Sequence, residues 1–232
     1  RAHSTVGVLT AASAATVVPH DPAPMTATLI VDALMSVPPE SLGHGLRPLR
    51  VTVLRHRCAD RGPPTVIRVR LAVLVPVKRF TAAKGRLAGV LADSDRARLA
   101  EWMASGVLDV VAEIPTFVAC DDEEVATWAQ RMGAQVIWGA DLGLNGAVDD
   151  GVAHIISSGY DQVLISHADL ALPRALLDVA RAGCITLVPD RRHDGTNVMS
   201  FPASHPLQAA YGGGSFDRHL HQALAMSTAA VE

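Results

Sequence analysis

The sequence predicts an α/β fold in which helices cover both faces of a single, mainly parallel twisted sheet. Two observations predict it. From Val69 onward, short runs rich in β-branched residues alternate with helical stretches, the pattern of βαβ units. Gly133, Gly159 and Gly183 each follow a helical stretch, where glycine favours the end of a helix. With 232 residues, 49% hydrophobic and 19% charged, the chain is long enough for one such domain and an appendage.

Each predicted element follows from a local pattern. The predicted strands are apolar runs at 69–77, 116–120, 135–138, 162–167 and 184–189, with a further extended piece near 197–201. The predicted helices are 94–111 with Ser94 as N-cap, 123–132, 145–158, 174–181 and a last one from Ser215 towards Met226. In open sheets of this kind ligands bind beyond the carboxyl ends of the strands, so functional residues are expected directly after each strand.

The first 66 residues differ in composition from the rest. They contain no aromatic residue and eight of the fourteen prolines. A segment without large side chains buries little apolar area, so we predict that residues 1–66 are a disordered or spurious N-terminal extension. Residues 67–232 then form the folded domain. A natural start near Val66 and a secretory signal within residues 4–18 are the alternatives considered for this segment.

Charge and cysteine content argue against several classes of protein. The net charge is −3 and the two lysines stand at 78 and 84, which does not suit the dense cationic surface that duplex nucleic acid requires. The three cysteines are far apart without C-x-x-C spacing, which disfavours disulfides and zinc and favours a reducing compartment. The longest apolar run, 71–77, is too short to span a membrane. We expect a cytoplasmic protein; whether it forms a homo-oligomer is left open.

A cluster of cations follows the first predicted strand. Lys78, Arg79, Lys84 and Arg86 lie within nine residues. A bound triphosphate requires such a cluster, because several negative oxygens must be neutralised together. A solvated basic loop is the alternative, and the segment is not a Walker A motif. The position directly after a buried strand favours phosphate binding.

Asp169 follows the central strand, in the segment HADLALP. A carboxylate at a strand end suits Mg²⁺, which takes one or two protein carboxylates and fills its other positions with water and phosphate. The alternative is an aspartate that caps the helix after Pro173. Ser166 and His167 adjoin Asp169, but the G-x-S-x-G elbow of a hydrolase is absent. Asp169 is therefore predicted to be a metal ligand.

Small residues open a helix after the third strand, in the segment LNGAVDDG. They allow a flat base to approach backbone amides, and the side chain of Asn145 both donates and accepts hydrogen bonds. N-capping by Asn145 is the simpler interpretation of this segment taken alone.

The segments PDRRHDGTN and YGGGSF contain a fourth candidate site. Glycines followed by Ser215 at a helix start expose N–H groups and a hydroxyl to an anion. A flexible turn with a serine N-cap is the alternative. His219 and His221 point to different faces of that helix, so they are not expected to share a metal.

In this order, the blocks PVKRFTAAKGRL, LNGAVDDG, HADLALP, PDRRHDGTN and YGGGSFDRH resemble the CofC/FbiD family of guanylyltransferases of coenzyme F-420 biosynthesis. The resemblance spans about residues 69–221. It implies a nucleotidyltransferase fold of the glycosyltransferase-A-like kind that binds GTP and Mg²⁺. It also implies transfer of GMP to phosphoenolpyruvate or 2-phospho-L-lactate, with release of pyrophosphate.

The resemblance assigns roles to residues within these blocks. The implied roles are GTP phosphate binding and catalysis by Lys78, Lys84 and Arg86, guanine contact by Asn145 and Gly146, metal binding and catalysis by Asp169, and binding of the phosphorylated acid by Thr196, Gly212 and Ser215.

Two features depart from the family pattern. The family has a further strand beyond the glycine-serine block, with an Asp-x-Asp-type segment that supplies a second metal carboxylate, whereas the sequence ends at Glu232. The fold is therefore expected to be C-terminally incomplete and the metal site half built. Asp194 and the glycine run replace small or proline residues. The alternatives are a related nucleotidyltransferase with another acceptor, a non-catalytic nucleotide-binding module and an inactive truncated relative.

Overall fold

The strands in the described part of the chain form one seven-stranded sheet. The structure is a computed structural model that describes residues 52–55, 69–171, 173–174 and 176–229. Its strands are β1 (Thr52–Arg55), β2 (Leu71–Pro76), β3 (Thr116–Cys120), β4 (Gln135–Trp138), β5 (Gln162–Ser166), β6 (Cys184–Pro189) and β7 (Thr196–Pro202). Their order across the sheet is β1-β6-β7-β5-β2-β3-β4.

Most of the strands run in the same direction. β2 pairs in parallel with β3 and with β5, and β3 pairs in parallel with β4. β7 lies antiparallel between β5 and β6, and β1 pairs antiparallel with β6. Strands β2 to β6 therefore share one direction, which confirms the mainly parallel sheet. Their carboxyl ends lie at one edge together with Thr196, which begins β7 and pairs with Pro189 at the end of β6.

Four α-helices in the described residues pack on this sheet. They are α1 (Asp93–Val110), α2 (Glu123–Arg131), α3 (Gly143–Ser157) and α4 (Ser215–Ala229). Asp122 caps α2 by accepting a hydrogen bond from the Val125 N–H, and Gly133 follows that helix at φ +82°, a conformation that favours glycine. None of the described helices combines the length and the apolar character that a membrane crossing requires.

The alternation of side chains along β2 divides the core into two layers. Val73 and Val75 pack with residues of α1 and α2, whereas Ala72 and Leu74 pack with residues of α3 and α4. All four are fully buried, and burial of each valine or leucine contributes about 1.5–3 kcal/mol. On the second face a Cβ at Gly151 would lie 2.8 Å from the Leu74 side chain, so glycine lets α3 approach the sheet closely. Helices on both faces are thus confirmed.

Three local predictions are wrong. Ser94 is not an N-cap, because α1 begins one residue earlier, at Asp93. Asp93 and Asp95 lie in its first turn, where their negative charges interact favourably with the positive end of the helix dipole. The stretch 174–181 forms only a 3₁₀ helix, Leu176–Val179, in which the Leu176 N–H donates to the carbonyl three residues before it. Asn145 is not an N-cap either, since α3 starts two residues earlier.

Within residues 1–66 the structure describes one element, the edge strand β1, which is not among the predicted strands. The rest of that segment lies outside the described residues. The extension at residues 1–66 and the domain boundary at residue 67 therefore stay predictions.

Candidate active site

Four polar segments meet at the carboxyl edge of the sheet. One follows β2, one begins α3 after β4, and one follows β5. The fourth joins the start of β7 to the start of α4, through the hydrogen bond from the Thr196 N–H to Ser215 Oγ at 3.0 Å. The topology thus places at one edge the segments that the sequence singled out, as expected for a site beyond the strand ends.

The cationic turn after β2 reaches the segment after β5. Lys84 Nζ donates to Asp169 Oδ2 at 3.0 Å, and the two side chains are 21% and 60% exposed. Lys84 has φ +54°, in the left-handed region that non-glycine residues seldom adopt. Lys78 and Arg86 are exposed on the same turn. The structure thus brings Lys84 and Asp169 together, and their roles in binding GTP and metal stay predictions.

A buried arginine fixes the position of this turn. Arg96 of α1 donates from Nη1 to the Ala83 carbonyl at 3.1 Å and from Nη2 to Asp93 Oδ1 at 2.6 Å. It is 8% exposed, and its Nε has no hydrogen-bond partner among the described residues. Sequence reasoning missed Arg96, because its spacing from Asp93 repeats that of the exposed Arg98 from Asp95.

His167 lies between the carboxylate after β5 and the start of β7. Its N–H donates to the Asn197 carbonyl at 3.0 Å, and its ring packs edge-on against Tyr211 with 4.9 Å between centroids. Burial lowers the pKa of His167, although the charge of Asp169 and a hydrogen bond to the Thr196 backbone act in the opposite direction. The His167 side chain thus lies between the segment of Asp169 and the start of β7.

The described residues hold no group of three or more His, Cys, Asp or Glu placed to bind a metal. A single carboxylate nevertheless fits Mg²⁺, because this ion keeps several waters and binds substrate phosphates directly. The Asp169 side chain, which is 60% exposed, suits such a partly hydrated ion.

Asn145 connects α3 to the segment before α4. Its Oδ1 accepts from the Tyr211 N–H at 2.8 Å, and its Nδ2 donates to the Tyr211 carbonyl at 3.4 Å. A Cβ at Gly146 would lie 3.0 Å from Leu142 Cβ, a tight approach within the first turn. The amide that was expected near guanine thus also anchors the Tyr211 backbone, and the guanine contact stays a prediction.

The glycine run between Tyr211 and Ser215 is held in place. Arg218 donates from Nε and Nη2 to the Ala210 carbonyl at 3.1 and 2.7 Å, and from Nη1 to the Gly213 carbonyl at 2.6 Å. Asp194 Oδ1 accepts from the Gly214 N–H at 2.9 Å. Gly212 has φ +122°, which favours glycine. Asp194, one of the departures from the family pattern, is thus part of the loop's support.

Beneath this loop lies a buried group of polar side chains. Besides its bond to Ser215 Oγ, Thr196 makes a 2.9 Å hydrogen bond between Oγ1 and His219 Nδ1. The Ser215 N–H donates to the Gly212 carbonyl at 3.1 Å. Thr196 is 2% exposed, Ser215 1% and His219 0%. The three positions expected to bind the phosphorylated acid, Thr196, Gly212 and Ser215, are therefore brought together.

His219 belongs to this group but was considered in the sequence only as a metal ligand. Burial, reinforced by the neighbouring Arg218 guanidinium, lowers the pKa of His219 to about 4. The signal that could have revealed its place is the spacing of Ser215 and His219, which are four residues apart and hence on one face of α4.

With this geometry in place, the chain matches the family model described as "Guanylyl transferase CofC like" over residues 71–231. The chain belongs to this family. It is similar to the phosphoenolpyruvate guanylyltransferases of Sphaerobacter thermophilus (33% identity, 65% of this chain, 77% of the relative) and Rubrobacter xylanophilus (33%, 65% and 78%). It is also similar to the 2-phospho-L-lactate guanylyltransferase of Methanothermobacter thermautotrophicus (28%, 67% and 72%).

A solved structure supports the fold of this CofC-like chain. The structure, assigned as a nucleotide-diphospho-sugar transferase from Desulfovibrio desulfuricans G20, covers 69% of this chain and 77% of its own, at 14% identity and a TM-score of 0.52. The family predicted from the sequence blocks is confirmed, and the likeness agrees with the predicted nucleotidyltransferase fold.

The site of the CofC-like chain has two parts. We call Lys78, Lys84, Arg86 and Asp169 the charged half, and Thr196, Ser215 and His219 the buried half. His167 and Tyr211 lie between the halves: the His167 ring packs edge-on against Tyr211 with 4.9 Å between centroids, and Tyr211 packs edge-on against His219 with 5.1 Å between centroids.

Proposed function

We propose that this chain transfers GMP from GTP to phosphoenolpyruvate and releases pyrophosphate. The observation that carries the proposal is the contact of Lys84 with Asp169 at the carboxyl edge of the sheet. A cation and a potential metal ligand there suit a metal-bound triphosphate. Phosphoenolpyruvate is favoured over 2-phospho-L-lactate because relatives named for it match at 28–37% identity, against 25–28% for two phospholactate enzymes.

The reaction requires positioning and charge neutralisation rather than a base. A phosphate oxygen of phosphoenolpyruvate attacks the α-phosphorus of GTP in line and forms a new P–O bond. The bond from the α-phosphorus to the oxygen that bridges it to the β-phosphorus breaks, and its electron pair leaves with pyrophosphate. The nucleophile is already anionic, so the barrier arises from repulsion between two polyanions and from charge that develops on the leaving group.

The cations of the charged half reduce this repulsion by neutralising phosphate charge. Lys78 and Arg86 are exposed, so their side chains can contact the phosphate oxygens of a bound nucleotide. Lys84 is held at the edge of the sheet by its contact with Asp169. As GTP binds, Lys84 exchanges its contact with Asp169 for a phosphate oxygen. Preorganised cations of this kind stabilise the transition state by about 2–4 kcal/mol each.

Asp169 would hold Mg²⁺ through its exposed carboxylate. When bound, the ion supplies neutralisation of phosphate charge and polarisation of the phosphoryl oxygen. The ion would replace Lys84 as the partner of Asp169, so that Lys84 can contact the triphosphate.

The buried half suits the acceptor acid. Thr196 and Ser215 offer hydroxyl groups, and the loop at Gly212 allows a ligand to approach the backbone closely. Hydroxyl donors bind the phosphate and carboxylate of a small acid without adding a net charge.

The test is a reaction of the purified 232-residue chain with GTP, MgCl₂ and phosphoenolpyruvate. Pyrophosphate release is measured with a coupled pyrophosphatase assay, and the guanylylated acid is identified by mass spectrometry. We expect both, with loss of turnover in EDTA. Parallel reactions replace GTP by ATP or CTP, and phosphoenolpyruvate by 2-phospho-L-lactate. Binding of GTP without pyrophosphate release with either acid contradicts guanylyl transfer and favours a nucleotide-binding module.

A further inference from the structure

His219 is the only fully buried histidine in the described part of the chain, and both of its ring nitrogens are engaged. Nε2 lies 3.0 Å from the Ala210 backbone nitrogen, and Nδ1 lies 2.9 Å from Thr196 Oγ1. A backbone N–H can only donate, so Nε2 must accept and carries no hydrogen. The neutral ring therefore carries its hydrogen on Nδ1, and His219 donates to Thr196 Oγ1.

This tautomer decides the direction of the threonine hydroxyl. Thr196 Oγ1 accepts the hydrogen of His219 Nδ1, so its own hydrogen points elsewhere. Within the described residues no acceptor receives that hydrogen. Ser215 is in a similar state, because its Oγ accepts from the Thr196 N–H and its own hydrogen is likewise not engaged there. Two adjacent hydroxyls are thereby left as donors.

We propose that His219 is a positioning residue that holds Thr196 so that its hydroxyl donates to the phosphorylated acid. The inference rests on the proposed function and extends it to a residue with no contact to substrate. An unconstrained hydroxyl rotates between donating and accepting orientations, whereas one that already accepts is oriented before an anion arrives. Such preorganisation lowers the cost of binding the acid.

The surroundings keep His219 in this form. Burial and the adjacent Arg218 both oppose the protonated ring, and the edge-on contact with Tyr211 fixes its plane. A protonated ring would place an N–H against the Ala210 N–H, so Nε2 could no longer accept. The same loop therefore sets both the position and the tautomer of His219.

The first test reads the tautomer directly in the unmodified chain. Long-range ¹H–¹⁵N correlation spectra of uniformly ¹⁵N-labelled protein distinguish protonated from unprotonated ring nitrogens, and His219→Asn identifies the signals of residue 219 by their loss. We expect protonated Nδ1 and unprotonated Nε2 near pH 7. A ring protonated at Nε2 instead, or at both nitrogens, overturns the inference, whether or not the chain is active.

The second test uses a matched pair of variants. In His219→Asn the side-chain amide lies near the former Nδ1 and can still donate to Thr196; in His219→Gln it lies near the former Nε2, accepts from Ala210 and leaves Thr196 without its donor. We expect His219→Gln to raise the KM for phosphoenolpyruvate roughly ten-fold, with KM for GTP changed less than about two-fold and recovery in His219→Asn. Equal rises in both KM values, or no rise in either, contradict the inference.

A double-mutant cycle separates positioning from a general structural effect. Thr196→Val removes the hydroxyl with little change of shape. If His219 acts through Thr196, adding His219→Gln to Thr196→Val raises the KM for phosphoenolpyruvate no further. Additive rises show that His219 acts by another route and overturn the inference. Absence of turnover in the wild-type chain contradicts the proposed function instead, and the spectrum then decides the inference alone.

Discussion

The two halves of the site are built on opposite physical principles. In the charged half, Lys84 and Asp169 form an ion pair with side chains 21% and 60% exposed. In the buried half, Thr196, Ser215 and His219 are at most 2% exposed and are linked by hydrogen bonds between neutral groups. The charged half presents charged groups to solvent, whereas the buried half is an oriented hydrogen-bond network that lies beneath the glycine run 212–214.

Because of this difference, substitutions can affect function without affecting stability in the charged half, whereas in the buried half they affect both. An ion pair that is only partly buried contributes little to folding, about 0–1 kcal/mol when it is at the surface, so Lys84 and Asp169 can be arranged for a substrate with little consequence for the fold. A buried polar group left without its partner costs about 1–3 kcal/mol. Changes in the charged half should therefore reduce turnover alone, and changes in the buried half should reduce both acid binding and stability.

The largest effect is expected from Lys84→Ala and Asp169→Asn. Each removes a group that is placed to bind the triphosphate or its metal ion, so kcat should fall by about 10²–10³-fold, equivalent to about 2.7–4 kcal/mol. The free energy of unfolding should change by less than about 1 kcal/mol, because the pair is only partly buried, with side chains 21% and 60% exposed. Pyrophosphate release and urea unfolding measure the two quantities.

The matched control for these variants is Arg98→Ala, which breaks the exposed ion pair of Arg98 with Asp95 on α1. It should change neither kcat nor stability appreciably. Near-normal kcat in Lys84→Ala or Asp169→Asn removes that residue from the mechanism. A large loss of stability in either would show that the two halves do not differ as described.

The next effect concerns pH and belongs to the buried half. The folded pKa of His219 is about 4, below the 6.5 of an exposed histidine, so the unfolded chain takes up a proton at higher pH than the folded chain. Stability is therefore full above about pH 6.5 and falls between 6.5 and 4, by about 3 kcal/mol from His219 alone. His167, whose pKa is also lowered, acts in the same direction.

Urea unfolding at several pH values between 7.5 and 4.5 measures this dependence. His219→Asn lacks the titrating ring and should lose less stability than the wild-type chain over that range, whatever its stability at pH 7.5. Equal losses in the two proteins would show that His219 titrates like an exposed histidine and that the buried half is open to water.

A smaller effect is expected from Ser215→Ala. Removal of Oγ leaves the buried Thr196 N–H without its acceptor, so stability should fall by about 1–3 kcal/mol. The KM for phosphoenolpyruvate should rise, since a predicted donor to the acid is lost as well. Thermal unfolding and kinetics on the same preparation test whether the two losses occur together; a change in KM at full stability would contradict the coupling proposed for this half.

Local pattern was enough to place most strands. Thr116–Cys120, Gln135–Trp138 and Cys184–Pro189 have the predicted bounds, because each is an apolar run that ends abruptly at polar residues or glycine. The position of β7 could not be predicted in the same way. Its antiparallel insertion between β5 and β6 depends on pairing between distant segments, which leaves no local pattern in either partner.

The residues of the candidate site also fall into those that a local rule could predict and those that depend on contacts between distant segments. The rule that ligands bind beyond strand ends was enough to select Lys84 and Asp169, although they are 85 residues apart, since each lies in the segment that follows a parallel strand. The supporting arginines Arg96 and Arg218 were missed. Both act on backbone carbonyls of loops, and the sequence does not show which of several helical arginines will face such a loop.

Asn145 provides the smallest and most discriminating change, because it is exposed like the charged half but anchors the loop of the buried half. Asn145→Ala removes both hydrogen bonds to the Tyr211 backbone, each worth about 0.5–1.5 kcal/mol. If Asn145 also contacts guanine as predicted, the KM values for GTP and for phosphoenolpyruvate should both rise, roughly two- to ten-fold. A rise confined to phosphoenolpyruvate would make Asn145 an anchor of the loop only and would contradict its predicted contact with guanine.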